Sequence, residues 1–362
     1  MDLSLLLDRY GEPAILASGG LLIGLTFGAF AQQSRFCLRA AAIEFVAGAP
    51  GAKLAIWLLA FGAALAGTQL LALMDLAQLS EARQIASPQS LSGAALGGLM
   101  FGAGMVLARG CASRLLVLSA TGNLRALLSG LVFAVVAQAS LRGSLRPLRE
   151  YLAAGFTSNE IGGNDLLAFS GASVEWAIAF ALAWIAAGIF FTWRASLSPW
   201  RAFAAIVTGL AIPLAWWFTA SMATQAFDPV QVEGVTFTGP SADTLMLILS
   251  PPGGALDFDV GLVPGVFLGS AIAALIAREW RLVGFHDGPS MRRYLAGAAL
   301  MGFGGMLAGG CAVGAGITGA SVFALTAWVT LSAIWLSAGV THYVIDGERA
   351  RKSTQAPAQA TP

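Results

Sequence analysis

The stretch FGAGMVLARGCASR, residues 101–114, decides the fold, because GFGGMLAGGCAVGAG at 302–316 repeats its core two hundred residues later. Setting Cys111 over Cys311 matches Gly102 with Gly302, Gly104 with Gly304, Leu107 with Leu307, Ala108 with Ala308 and Gly110 with Gly310. Upstream, GAAL at 93–96 recurs as GAAL at 297–300, displaced by a four-residue gap. In both copies a glycine-rich apolar run leads into a cysteine, a small-residue stretch follows (SATGN, 119–123; ITGAS, 317–321), and another apolar run begins. A repeat on this scale sets the architecture before any motif is considered.

The surrounding chain is a membrane sequence. Of 362 residues, 57% are hydrophobic and 11% charged, against roughly a quarter charged in an ordinary soluble domain. Crossing the hydrocarbon core as a helix takes about 20 apolar residues. Nine segments reach or approach that length, at 13–31, 53–78, 92–108, 123–141, 174–194, 200–220, 261–280, 292–308 and 321–345. The first lacks the basic leader of a signal peptide and reads as a span. Arginine and lysine gather after the odd spans (Arg35, Arg39 and Lys53; Arg109 and Arg114; Arg194 and Arg201; Arg278, Arg281, Arg292 and Arg293; Arg349, Arg351 and Lys352). The loop after the sixth span carries only acids (Asp228, Glu233, Asp243, Asp257, Asp259), and Arg142, Arg146 and Arg149 after the fourth blur the pattern. Because cytoplasmic loops accumulate Lys and Arg, the expected topology has a periplasmic N-terminus and a cytoplasmic C-terminus.

Between the third and eighth spans lie five crossings, an odd number, so the two cysteine segments enter from opposite faces. Inverted-topology repeats with broken helices are the build of many secondary transporters, with the substrate site where the halves meet. The expectation is one all-α integral membrane domain of about nine spans plus short re-entrant helices. Its first half is 1–172, span 5 with its flanks (173–199) links the halves, the second half is 200–350, and 351–362 forms a disordered tail. A third cysteine, Cys37 in SRFCLRA (34–40), shares the pattern: Gly28, Gly102 and Gly302 each lie nine residues before a cysteine. Its counterpart is expected after the sixth span, near TASMATQAF (219–227), where Met222 offers the nearest sulfur.

Three thiols in parallel contexts call for chemistry. An odd count without C-x-x-C argues against a redox pair. Metal ligation wants histidines nearby, yet His286 lies in a loop and His342 at the end of the last span. A covalent nucleophile wants a base. A substrate contact remains open beside these: Gly110 and Gly310 stand where a re-entrant helix would begin with unpaired N–H groups, a ready anion site, and a thiol can add a weak S–H donor. Arg35, Arg39, Arg109 and Arg114 would form an electropositive vestibule. Gln32, Gln33, Glu44, Gln69, Asn123 and Gln138 are polar groups in or near spans, where such groups face the bundle interior. GLTFG (24–28), GLMFG (98–102), GVFLG (265–269) and GMLAG (305–309) have the spacing of close helix packing. GAGITG (314–319) matches a nucleotide fingerprint formally but follows no strand.

The combination of SRFCLRA, FGAGMVLARGCASR and GFGGMLAGGCAVGAG within a nine-span inverted repeat resembles the YeeE/YedE family of bacterial membrane permeases over roughly residues 14–345. The resemblance implies import of thiosulfate through an hourglass of helices pinched by re-entrant segments. It implies that Cys37, Cys111 and Cys311 line the pinch and pass the anion along by S–H···S hydrogen bonds, and that a small cytoplasmic sulfur carrier of the TusA type works alongside. The expected path is then Cys37, Cys111 and Cys311, supported by Gly110, Gly310, Arg39, Arg109, Arg114 and Gln33, in the inner membrane, with no cofactor and no nucleic-acid partner. The rival readings are a membrane sulfurtransferase that forms a cysteine persulfide, and a transporter of soft metals or other sulfur or selenium compounds.

Overall fold

Nine helices among the described residues are long and apolar enough to cross a bilayer, which makes this a multi-pass membrane protein. The structure, a computed structural model, describes residues 7, 9–251, 256–284 and 288–355. In chain order α1 (Glu12–Ser34) turns into the short α2 (Leu38–Val46), followed by α3 (Ala52–Leu73). Next come α4 (Leu91–Leu107), the short α5 (Ala112–Ala120), α6 (Leu124–Leu141) and a surface helix α7 (Arg146–Ala153). Then follow α8 (Val174–Arg194), α9 (Pro199–Ala223), α10 (Thr238–Leu249) and α11 (Phe258–Ile276). The chain closes with α12 (Gly288–Leu307), a π-helical turn (Ala312–Thr318) and α13 (Leu325–Gln355). The tail, expected to be without structure from 351, continues α13 through Gln355; residues 356–362 lie outside the described residues, as does His286.

Small residues set the packing. Along α1 and α11, which run parallel, a Cβ on Gly20, Gly24 or Gly28 would overlap the carbonyls of Phe258, Leu262 and Val266, and one on Gly261, Gly265 or Gly269 those of Ala17, Leu21 and Leu25. Only glycine allows that approach, which also brings Cα–H groups against facing carbonyl oxygens. Across the centre α4 and α12 run antiparallel, with Gly97 against Gly304 and Gly104 against Gly297. Likewise α1 meets α9 head to tail, Gly19 against Phe218 at one end and Gln33 against Trp200 at the other.

These contacts come in mates. The α1–α11 pair matches α9–α3, the α4–α13 pair matches α12–α6, and the short α2, packed on α3 and α13, matches α10, packed on α11 and α6. The units α1–α6 and α9–α13 are therefore equivalent, and equivalent helices meet antiparallel, which is the expected inverted repeat. α8 stands outside the scheme against α3, with Gly188 on Leu59 and Gly62 on Ile185.

The same turn precedes each of the three cysteines. Arg35, Arg109 and Gly309 take left-handed backbone, with φ of 58°, 60° and 76°. The next residue closes a bond five back: Phe36 N–H to Ala31 O at 3.1 Å, Gly110 to Met105 at 3.1 Å and Gly310 to Gly305 at 2.8 Å. This is a Schellman end, and in each case the following cysteine is the N-cap of the next helix. The fourth position departs from the rule. α9 ends at Ala223, an irregular segment intervenes, and the N-cap of α10 is Phe237. Phe237, rather than a residue of 219–227, thus stands where symmetry places the mate of Cys37. Met222 is fully buried in a separate cluster with Leu7, Ile15, Leu16, Phe218 and Val230, because it ends a helix that the intervening segment carries away from the turn.

Candidate sulfur-lined path

The cysteine turns sit at depth. Ala112, first residue of α5, shares a cavity wall with Phe133 and Ala134 from the middle of α6. The far end of the segment is tied to the surface, with Arg281 N–H on Thr121 O at 3.1 Å and Val283 N–H on Gly122 O at 3.0 Å. Cys111 and Cys311 are each 1% exposed and Cys37 is partly buried, and all three are free thiols.

Two of the thiols meet. The thiols of Cys37 and Cys111 are neighbours that act electrostatically on one another, and Cys111 Sγ lies 3.4 Å from Ser113 Oγ. Cys311 stands apart from that pair: its Sγ accepts the Gly314 N–H at 3.4 Å and neighbours the Thr236 hydroxyl and the Phe237 backbone. By the two-fold, Phe237 beside Cys311 answers Cys37 beside Cys111. A run of rings joins the two places: Phe36 to Phe27 at 6.4 Å between centroids and Phe27 to Phe237 at 5.2 Å, each buried to 3% exposure or less.

Charge is concentrated at the Cys37–Cys111 end. Arg114 and Arg39 act electrostatically on the Cys37 thiol, and Arg114 also on Cys111. Lys53 lies within reach of Arg201, Arg114, Arg35 and Cys37. Against these cations stands Glu279, which pairs with Arg35 at 3.0 Å and accepts from Gln32 Nε2 at 3.1 Å. Glu44 turns elsewhere, its Oε2 accepting the N–H groups of Gly51, Lys53 and Leu54 at the start of α3. Arg114 Nη1 is buried and has no hydrogen-bond partner. An unpartnered guanidinium N–H at membrane depth carries a desolvation cost that an anion would remove.

The sequence candidates separate on this geometry. Cys37, Cys111, Arg39 and Arg114 come together; Cys311 is their counterpart beyond the rings. Arg109 is exposed and extends over the Tyr294 ring, 5.9 Å from its centroid. Gln33 uses its amide to join helices, donating to Ala273 O and accepting from Trp200 Nε1, each at 3.3 Å. The amides of Gly110 and Gly310 are consumed by the Schellman bonds, so the open N–H groups belong to the residues after each cysteine. Arg201, whose Nη2 donates to Ser34 O at 3.4 Å, and Lys53 join the cluster although the chain offers no local sign of it.

The acidic loop has mostly structural employment. Asp257 caps α11 through Val260 N–H at 2.8 Å, and Asp243 lies 3.6 Å from Arg142, which gives that blurring arginine a local partner. Arg146 and Glu150 pair along α7 at 2.7 Å. Glu233 has both backbone groups on the Thr219 hydroxyl; burial pushes its carboxyl up to about 7, with Asp257 and Asp243 adding and Arg83 opposing.

A family model described as sulphur transport matches residues 33–340, which include all three cysteine turns and seven full spans. The chain belongs to the sulphur transport family. Among its relatives, the thiosulfate transporter TsuA of Spirochaeta thermophila is 25% identical over 325 residues, covering 86% of this chain and 93% of that protein. The thiosulfate transporter TsuA of Escherichia coli K12 is 32% identical over 162 residues, 44% of each chain. Within this family the present chain is similar to transporters, and its composition of apolar spans and buried thiols agrees with that.

Proposed function

We propose that this chain takes up thiosulfate, or a closely related inorganic sulfur anion, across the bacterial inner membrane along a path lined by Cys37, Cys111 and Cys311. The observation that carries the reading is the pair of neighbouring thiols beside the buried, unpartnered Arg114 Nη1. Family membership and the names of the relatives support the choice of substrate. Thiols suit such a cargo because they donate weakly: they hold a soft terminal sulfur without holding it fast, as conduction through successive sites requires. The cation-rich end faces the cytoplasm on the positive-inside argument, which puts the Cys37–Cys111 pair on that side and Cys311 nearer the periplasm. A cytoplasmic sulfur carrier of the TusA type would collect the anion there. The two equivalent halves are 1–172 and 200–350, with 173–199 as the link, and the thiols act by contact, without covalent turnover.

The test is growth of a sulfate-uptake-deficient bacterium on thiosulfate as sole sulfur source, rescued by wild type and by Cys37→Ser, Cys111→Ser and Cys311→Ser at matched expression. Wild type rescues, and serine at Cys111 or Cys311 fails. Equal rescue by all three variants would remove the thiols from the path. Failure of the wild type would remove thiosulfate, and a persulfide adduct seen by mass spectrometry after exposure to thiosulfate would favour the enzymatic reading.

A further inference from the structure

Between the thiol pair and Cys311 runs a chain of buried rings, with the Thr236 and Thr238 hydroxyls at its Cys311 end. Phe36 adjoins Cys37 in the chain, Phe27 touches both Phe36 and Phe237, and the backbone of Phe237 adjoins the Cys311 thiol. Phe101, fully buried, stands beside Gly305 at the α4–α12 crossing. Phe27 and Phe237 come from α1 and the N-cap of α10, one from each half, so the contact at 5.2 Å bridges the internal two-fold. Here the symmetry of the site is broken: the other three turns present a thiol, this one a ring.

We propose that Phe27 and Phe237 are the selectivity barrier of the permease, a dry aromatic closure that the sulfur anion crosses between two thiol sites and that small hydrated anions do not. The inference rests on the transport reading above and adds the residues that decide what is refused. A constriction lined by apolar side chains excludes water and with it ions that cannot shed their shell. The passing anion exchanges hydration for a thiol on either side, for the positive edges of the rings and for the Arg114 guanidinium at the inner end. Chloride and sulfate lack a soft sulfur for the thiols to hold and are stopped at the ring contact. The irregular segment before Phe237 gives that ring an anchorage different from the tight Schellman turns of the cysteines: Val235 O accepts from Thr318 Oγ1 at 2.6 Å and Gly234 lies against Trp216.

The experiment uses the full chain in proteoliposomes, comparing wild type, Phe27→Ala, Phe237→Ala, Phe27→Leu, Phe237→Leu and the control Phe258→Ala, a fully buried ring paired with Phe218 away from the thiols. Leak of radiolabelled chloride and sulfate is measured beside thiosulfate uptake, with folding followed by elution profile and thermal melting. The expected result is a leak about tenfold above wild type in both alanine variants, as for opening a hydrophobic gate, smaller in the leucine variants and absent in Phe258→Ala. Wild-type leak in the folded alanine variants overturns the proposal, and so does equal leak in the control. Where an alanine variant is not recovered folded, the leucine pair decides: leak above the control supports the barrier, leak equal to it removes it. The leak assay needs no working thiol, so failure of the barrier is distinguishable from failure of the cysteine path, which the serine series reads.

Discussion

Arg109 and Arg114 lie five residues apart on either side of Cys111 and look interchangeable in the sequence, yet only Arg114 reaches the thiols. The left-handed backbone of Arg109 directs its side chain over Tyr294, whereas Arg114 stands in the first turn of α5 beside Cys37 and Cys111. Replacing Arg114 by Gln should raise the KM for thiosulfate about tenfold, as expected for losing a charge-assisted hydrogen bond of roughly 1.5 kcal/mol. Arg109→Gln should leave it near wild type. Uptake kinetics at fixed expression check both, and a large effect at Arg109 with none at Arg114 would invert the assignment. The thiols themselves were legible because a rare residue recurs after a glycine-rich run. The direction of an arginine was not, because it depends on one dihedral at the turn.

At the scale of helices, glycine spacing was informative and boundaries less so. GLTFG and GVFLG meet each other in the α1–α11 contact, and GLMFG packs on α13, with Gly98 on Thr330 and Gly102 on Ile334. Span 2 ends at Leu73 rather than 78, where Asp75 takes φ 54°. Gly261→Val should destabilise the protein by about 1–3 kcal/mol, the usual cost of overpacking, since a side chain there overlaps the Ala17 carbonyl. Gly130→Val, at a helical glycine with open space around it, should not. Thermal melting in detergent compares the two, and equal loss would mean that helix contact is not what the glycines provide. The fourth turn escaped the sequence for a plain reason. Counting from the end of α9 points to 219–227, but the chain runs on to Phe237 before the next helix; Asp228-Pro229 and Gly234 mark a loop there, without fixing where the next helix begins.

For the molecule as a whole, the loop after the sixth span holds Asp257 as a cap, Asp243 beside Arg142, and Glu233 among them. The Glu233 carboxyl ordinarily titrates near 4.5 and is raised to about 7. Between those values the unfolded chain is ionised while the folded one keeps its proton. Stability therefore falls as pH rises through this window, and the deficit is complete above about 7. Glu233→Gln should melt a few degrees above wild type at pH 8 and level with it near pH 4.5; a gap that stays constant with pH would discount the buried carboxyl. The groups facing it are Arg83, Asp243, Asp257 and Asp259. The broken two-fold reaches further. On the proposed path, where a ring occupies the place that symmetry would give a thiol, cargo arriving from one face would meet a single sulfur and from the other a pair with a guanidinium, so the half-saturating concentrations at the two faces need not agree. Microscopic reversibility nonetheless ties them together: without a second ion and at zero membrane potential, the ratio of maximal rate to half-saturation must be equal in both directions, and the asymmetry would make the permease a better catcher on one side without making it a pump.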